Sequence, residues 1–463
     1  MADSAALRKT PKEAEARSVS ERLARHVVTL PHAQLPRSTV DASKKLMLDT
    51  LAVAWAGRDA PGAPEAHALL TADGGTNESS IWGYGGKLPA SAATFLNSLF
   101  GAALDYDAVN TVHADVCVLP AALAIAEREH ASGTEFLCAY AIGADLASRL
   151  GGAISGQHKG WFTTSIYGVF GAAAAAARLL KLDEAGTAHA FGIALSQAAG
   201  TQQANIEQAL TKRLQSAFAA RAGVFSALLA ARGITAPREA FEGKFGLFSL
   251  YQDGNPLKVF EGLGAHFELE KTNLKKYPTC ACGHAALDAA FALVKEHDLK
   301  PDDVTSIEVR HSPLMHRLVG APFDPTGNPQ VTAQFSVQYA LACALLRGRV
   351  GIEDIQEAAV LDPRIREITR RVKVVVDETN TSSRAPATVI IESRRHGRLS
   401  RTVDHFPWGT ETPPSADELQ AKFDACLSYG PTPVPPERRK LLLERVRAIE
   451  GVEDMSTFFS GIL

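Results

Sequence analysis

The sequence predicts a mainly α protein with a smaller α+β second domain, and three observations carry this. The first two-thirds of the chain read as helix after helix, several of them apolar on most faces. From about residue 270 the pattern changes to β-branched runs that alternate like strands. After Trp408-Gly409 helical periodicity returns.

The elements can be placed in order. Pro36 opens a segment running to Gly57, with Val40, Met47, Leu48, Leu51 and Trp55 on one face and Asp41, Lys44 and Lys45 on the other. Pro120 is expected to begin a second helix, AALAIAEREH, stopped by Ser132-Gly133, and Thr134 to cap the next, EFLCAYAIGADLASRL. The run Ala172–Ala177 continues into Arg178-Leu179-Leu180, and its small side chains let neighbouring helices approach closely. Asp183 starts a helix through Ala199, and Ser216–Arg232 makes one more. VTSIEVRH (304–311), RVKVVVDE (371–378), ATVIIES (387–393) and RLSRTVD (398–404) read as strands, with a hairpin turn at His396-Gly397. Helices are expected over His284–His297 and Thr332–Leu346, and again in SADELQAKFDACLS and PPERRKLLLERVRAIEGV.

Composition bounds the function. The 463 residues are 46% apolar and 21% charged, which excludes a disordered, collagen-like or coiled-coil chain. Length alone suggests three domains, and two large ones fit as well. The 48 basic and 51 acidic residues give a net charge of −3, so no basic excess points to nucleic acid or to a membrane surface. Six scattered cysteines are no disulfide framework, and the charged N-terminus lacks the apolar region of a signal peptide. A cytoplasmic protein is expected. The stretch from Gly160 to Ala177 reads as a buried core helix rather than a membrane span, because alanine gives little transfer energy.

Common cofactor motifs are missing: there is no P-loop, HExxH or GxSxG, and Gly83-Tyr84-Gly85-Gly86 reads as a turn. Cys280-Ala281-Cys282-Gly283-His284 is the one dense soft-ligand cluster. A zinc or iron–sulfur site needs further ligands, and no CxxC supplies them, so a helix N-terminus of small residues is preferred; His284 can still line a pocket. Leu104-Asp105-Tyr106-Asp107 and His113-Ala114-Asp115 gather three carboxylates and a histidine between two helices. This set suits a general base and acid, and equally a solvated capping loop. Lys212-Arg213 sets two cations against a helix macrodipole, where they hold an anion or form a snorkelling surface pair. Lys275-Lys276-Tyr277-Pro278 is a second basic pair. Ser336 and Tyr339 are polar positions on an apolar helix, where a buried Tyr usually bonds a backbone carbonyl.

In order and spacing, KKLMLDTLAVAWAG, ALDYD, HADVCVLPAALAIAE, GVFGAAAAAARLL, LTKRLQSAFAARAG, LKKYPTCACGHAALDAA, FSVQYALACALLRG and PWGTETPPSADELQAKF resemble the MmgE/PrpD family of 2-methylcitrate dehydratases, cis-aconitate decarboxylases and iminodisuccinate epimerases. The resemblance runs from about Ala24 to the C-terminus. It implies an all-helical domain over 1–268 and 409–463, an α+β lid domain over 269–408, and an active site in the cleft between them. It also implies a homodimer, a small carboxylate substrate, and neither cofactor nor metal. Carried over position by position, Asp105 matches the first acid of the family's DFDD stretch and His113 the histidine before its VLP run. Lys212 matches the lysine before the helix, Lys275 the lysine of K-x-[YF]-P, and Tyr339 the tyrosine of the lid helix.

The chain also departs from the family. Phe162 stands in Gly160-Trp161-Phe162-Thr163-Thr164 where GWHPT is usual, and a phenyl ring can neither transfer a proton nor hold a carboxylate. His158 lies four residues earlier. Asp105-Tyr106-Asp107-Ala108 replaces DFDD, Gly101-Ala102 a usual AH, Val109 a usual Thr and Gln215 a frequent His.

The resemblance therefore implies a cofactor-independent lyase, a dehydratase first and a decarboxylase second, acting on a polycarboxylate or related hydroxy acid. His113 is the expected acid/base, oriented by Asp105, with Tyr339 donating from the lid. Lys212, Lys275 and Arg213 are expected to clamp carboxylates, and Phe162, Val109, Gln215 and His284 to line the pocket. An isomerase or epimerase working by proton abstraction α to a carboxylate, and a non-catalytic binding homologue, are the alternatives. A substrate with an apolar group facing Phe162 and Val109 fits the first two.

Overall fold

The computed structural model describes residues 17–156 and 159–463, so His158 lies outside the described residues. The helical domain runs through α1 (Val19–Thr29), α2 (Arg37–Gly57), α3 (Ala63–Asp73), α4 (Ala90–Ala103), α5 (Asp115–Arg128), α6 (Gly133–Gly152), α7 (Thr163–Leu179), α8 (Glu184–Leu195) and α9 (Thr211–Ala230). Helix α9 packs on α4, α5, α7 and α8, which makes it the hub of the domain. Its contact with α7 is close because the residues are small. A Cβ on Gly223 would fall 2.6 Å from both the Val169 carbonyl oxygen and the Ala172 methyl. Gly143 of α6 and Gly171 of α7 oppose one another in the same way, each leaving no room for a side chain. Ala172–Ala177 are fully buried, as expected of an alanine run crossed on several sides.

Three local expectations are corrected. Helix α5 begins at Asp115, where the N–H groups of Cys117 and Val118 donate to the Ala114 carbonyl, and Pro120 falls inside it. Lacking an N–H, this proline removes one helical bond, a cost accepted within a wholly buried segment. Helix α6 is capped by Ser132, not Thr134: the Ser132 hydroxyl accepts from the Glu135 N–H, and the Glu135 carboxylate accepts from the Ser132 N–H. The segment expected as one helix from Thr332 breaks in two. A short helix, Pro329–Gln334, stops at Phe335, and Ser336 caps α11 (Val337–Arg347) by accepting from the Tyr339 N–H.

The α+β domain is built on a four-stranded sheet of β1 (Val304–His311), β2 (Val372–Val376), β3 (Ala387–Ser393) and β4 (Gly397–Val403), in the order β2-β1-β3-β4. Strands β1 and β2 run parallel, with Val309 opposite Val374, while β3 pairs antiparallel with both β1 and β4. Val304, Ile307 and Val309 of β1 and Ala387, Val389, Ile390 and Ile391 of β3 are buried, with a register irregularity in β1 between Val304 and Ser306. Helix α10 (His284–Glu296) covers β3 and β4 and packs on α11.

The chain then returns to the helical domain. Helix α12 (Ala416–Ser428) lies on α2, and α13 (Pro436–Arg447) packs beside it. Buried Lys422 of α12 sits 2.6 Å from Asp49 of α2 and donates to the carbonyls of Tyr106 at 3.1 Å and Lys275 at 3.0 Å. Its ammonium also lies 4.0 Å from the centre of the Tyr106 ring. Among the described residues no helix is long and apolar enough to cross a membrane.

Removing one partner of a buried ion pair leaves the other charged and unsolvated. Lys422→Met is expected to lower the unfolding free energy by about 3–5 kcal/mol in urea titration. Adding Asp49→Asn should recover a large part of that loss. No recovery would mean that the two carbonyl contacts, not the charge pair, are what Lys422 supplies.

Candidate functional site

The segment after α4 brings the chemistry together. Asp105 takes a left-handed backbone conformation, φ +49°, which turns the chain back at the end of the helix and buries the carboxylate. Its Oδ1 accepts from the Lys212 ammonium, and its Oδ2 lies 2.9 Å from that of Lys275. Lys275 also donates to the Asp105 carbonyl at 2.7 Å and stands 3.8 Å from Asp107 Oδ1. The Asp107 Oδ2 lies 2.6 Å from His113 Nδ1. Asp105, Asp107, His113, Lys212 and Lys275 therefore form one charged cluster at the end of α4, the start of α9 and the entry to the second domain.

Two expected roles change, and the choice between Lys275 and Lys276 is settled. Asp107, not Asp105, orients the His113 ring, because Asp105 is fully engaged by the two lysines. Lys275 faces the cluster, whereas Lys276 points to Asp288 of α10 at 3.0 Å. Of the two clustered lysines, Lys275 is 1% exposed and its donors are taken by protein oxygens, while Lys212 is 10% exposed and bonds a single carboxylate oxygen. Lys212 is thus the less enclosed of the two, and Lys275 holds the Asp105 loop in place.

Electrostatics follow the geometry. Burial pushes the Asp105 carboxyl up, but Lys212, Lys275 and His113 outweigh it and hold the group well below the usual carboxylate range. Asp107 is likewise lowered, with His113 and Lys275 overcoming the desolvation. Burial pulls Lys275 down, yet Asp105 and Asp107 raise it above its ordinary value. Asp105, Asp107 and Lys275 are thus held ionised by mutual contact. His113 has Nδ1 fixed by Asp107 and its side chain is 22% exposed; among the described residues its Nε2 carries no hydrogen bond. That nitrogen is the one available to exchange a proton.

The remaining expected residues fall in two groups. Phe162 caps the start of α7, buried, with its N–H donating to the Gly200 carbonyl at 3.0 Å. Two residues on, the Thr164 hydroxyl accepts from the His113 N–H at 3.2 Å, which ties this turn to the cluster. Gln215 is on the same face of α9 as Lys212, near Gly200 and Ser165; its Nε2 is buried without a partner. Val109 is buried and pairs its backbone with Asn273, at 2.9 and 3.0 Å, two residues before Lys275. These side chains lie around His113 and the lysines.

The second group does not join the cluster. Tyr339 is buried in the α+β domain, its hydroxyl donating to the Asp354 carbonyl and its ring stacked on Phe323 at 5.3 Å, so it is no donor to the site. Arg213 donates to the Pro61 carbonyl and to Gln330 Oε1, each at 3.0 Å, and to Gln334 Oε1 at 3.5 Å. It therefore joins α9 to the short helix Pro329–Gln334 instead of meeting a carboxylate, and burial pulls its guanidinium down to about 10. His284 is fully buried, its Nε2 donating to the Thr279 carbonyl at 3.1 Å and its ring stacked on Phe406. Burial, and then the Lys275 charge, push it down to about 3, so it is neutral. Among the described residues no three His, Cys, Asp or Glu side chains are arranged to hold a metal ion.

The depressed Asp105 carboxyl makes a stability prediction. A group whose folded value lies below its unfolded one contributes fully above the unfolded value and loses that contribution as pH falls. Asp105→Asn should therefore be less stable than the parent at neutral pH, with the gap closing as pH falls below about 4. Urea midpoints across that range check it; a gap that does not change with pH would remove the ion-pair account.

Comparison with known proteins gives a consistent placement. The MmgE/PrpD N-terminal domain matches residues 21–259 and the MmgE/PrpD C-terminal domain residues 277–447. The chain is 26% identical to the cis-aconitate decarboxylase-like protein oryM of Aspergillus oryzae, over 96% of this chain and 97% of that protein. It is 27% identical to cis-aconitate decarboxylase of Aspergillus terreus, over 84% and 85% of the two chains. Against human cis-aconitate decarboxylase it is 26% identical over 95% and 93%. With both domains matched in order over nearly the full length, the chain belongs to the MmgE/PrpD family.

Proposed function

We propose that this protein is a lyase that acts on a small carboxylic acid bearing more than one carboxylate, with decarboxylation the favoured reaction. The observation that carries the reading is the pairing of a partly exposed histidine, held through Nδ1 by Asp107, with the less enclosed ammonium of Lys212 beside it in one cluster. The names of the relatives, cis-aconitate decarboxylases, support loss of CO₂ over loss of water.

The chemistry needs only groups this chain has. Lys212 holds a substrate carboxylate with the donors that Asp105 leaves free. When the C–C bond to a second carboxylate breaks, CO₂ leaves and the bonding pair stays on the adjacent carbon. The lysine charges stabilise that electron-rich centre. The protonated Nε2 of His113 then delivers a proton to the carbon, and the imidazole is reprotonated from water. Asp107 keeps Nδ1 protonated throughout and fixes the ring direction. The buried Phe162 and Val109 make the surroundings less polar, which fits a substrate with an apolar group there. A homodimer is part of the same proposal, carried by the family resemblance alone.

Proton NMR in D₂O with cis-aconitate, citrate, 2-methylcitrate and iminodisuccinate tests the reaction. Decarboxylation is expected to give a product lacking one carboxylate and carrying one deuterium at the former attachment carbon. Deuterium in recovered substrate with no new compound would replace this reading by epimerisation. His113→Ala is expected to cut turnover by about 10²–10⁴-fold with the fold intact by circular dichroism. Lys212→Ala should abolish turnover and binding together. A fully active His113→Ala protein would end the assignment of that residue as acid.

A further inference from the structure

The loop between β2 and β3 carries a cation with almost nothing to bind. The Arg384 guanidinium has one hydrogen bond among the described residues, from Nη2 to the Asn110 carbonyl. Among the described residues it has no carboxylate partner, and it lies 5.8 Å from the centre of the Phe406 ring. The other cations set deep in this fold are matched: Lys212 and Lys275 by Asp105, Lys422 by Asp49, and Arg149 by Asp145. Arg213 spends its donors on three oxygens. A guanidinium offers five N–H donors, so half-buried Arg384 leaves most of them unmet by protein groups among the described residues, while partial desolvation pulls its charge down.

Its position is built. Ser382 accepts from the Ser312 hydroxyl at 2.7 Å, Ser383 from the Cys282 thiol at 3.2 Å, and Pro386 from the Asn380 amide at 2.9 Å. The loop is held on both sides of Arg384. From the α+β domain the side chain reaches across to Asn110, in the segment that links Asp107 to His113. Three residues of chain span at most about 11 Å. The Asn110 carbonyl that Arg384 contacts and the His113 backbone are therefore within that distance on one segment, a separation that a short diacid held at both ends can match.

We propose that Arg384 is a substrate-binding residue: it takes the substrate carboxylate remote from His113 and makes a diacid, rather than a monoacid, the preferred ligand. The proposal rests on the reading of the cluster as a carboxylate site. Arg384 would trade its single carbonyl contact for a two-point contact with the carboxylate, so the ligand itself would join the two domains.

Calorimetric titration with glutarate and with its monomethyl ester, which differ by one charge on the same skeleton, tests this. The parent should prefer glutarate. Arg384→Gln should weaken glutarate roughly 10- to 100-fold, the range expected for hydrogen bonds to a charged group, and leave the ester unchanged. Arg384→Lys keeps a donor for Asn110 but loses the fork, and should restore only part of the preference. An unchanged preference in Arg384→Gln overturns the proposal, and so does an equal loss for both ligands, which would make Arg384 a brace for the Asn110 segment. Lys212→Gln separates the two levels. If it weakens both ligands while Arg384→Gln changes neither, the carboxylate site stands and Arg384 is excluded. If the parent binds neither ligand, both fall together.

Discussion

The arrangement of this protein depends on one buried carboxylate. Asp105 lies between two ammonium groups that arrive from residues more than a hundred positions away, Lys212 and Lys275. Without that anion, Lys212 would lose its carboxylate partner and Lys275 would keep only Asp107, at 3.8 Å. The requirement extends outward. It explains why Asp105 accepts a left-handed backbone, since the turn points its carboxylate inward and offers its carbonyl to Lys275 as well. It also explains why the neighbouring charges are organised rather than scattered. Lys422 takes Asp49 and, through the Tyr106 and Lys275 carbonyls, braces the two segments that meet at Asp105. Helix α12 thus braces the cluster from outside it.

Much of the fold was legible because it rests on periodicity. The four strands fall where β-branched alternation puts them, and the amphipathic segments are helices. Errors arose where two residues compete for one local role. Ser132 and Thr134 are both capping types, and the glutamate three residues after Ser132 decides between them by closing a reciprocal pair. Pro120 suggested a helix start because proline is favoured there, yet the preceding turn is apolar and buried, and burial outweighs one missing hydrogen bond.

Partner choice was the part that sequence could not supply. Asp105 and Asp107 are two residues apart with the same chemistry; which one meets His113 depends on where two distant lysines land. Tyr339 illustrates the opposite hazard. A polar residue on an apolar helix suggests a site, but here its hydroxyl satisfies a carbonyl within its own domain. Lys422 did leave a signal: with Leu419, Phe423 and Cys426 it lies on the inward stripe of α12, where a lysine needs a buried partner. Arg384 left none, because it is in an irregular loop and its neighbours come from three other segments.

The charge balance of the cluster constrains its chemistry more than any single distance does. Lys212, Lys275, Asp105 and Asp107 sum to zero, and His113 is the remaining member, with Nδ1 held by Asp107 and Nε2 free of hydrogen bonds among the described residues. A carboxylate arriving beside Lys212 adds a negative charge to a neutral, poorly solvated set. The compensation nearest to hand is a proton on the imidazole, whose Nδ1 already faces Asp107. The proton needed for neutrality is then the proton a reaction at the adjacent carbon must receive, and it sits on the ring nitrogen that no protein group occupies. Phe162 and the unpartnered amide of Gln215 sharpen this coupling, because neither can take the proton in place of His113. A site with several histidines can share that duty; in the proposed reaction, with one among the described residues, binding the acid and arming the donor would become the same event.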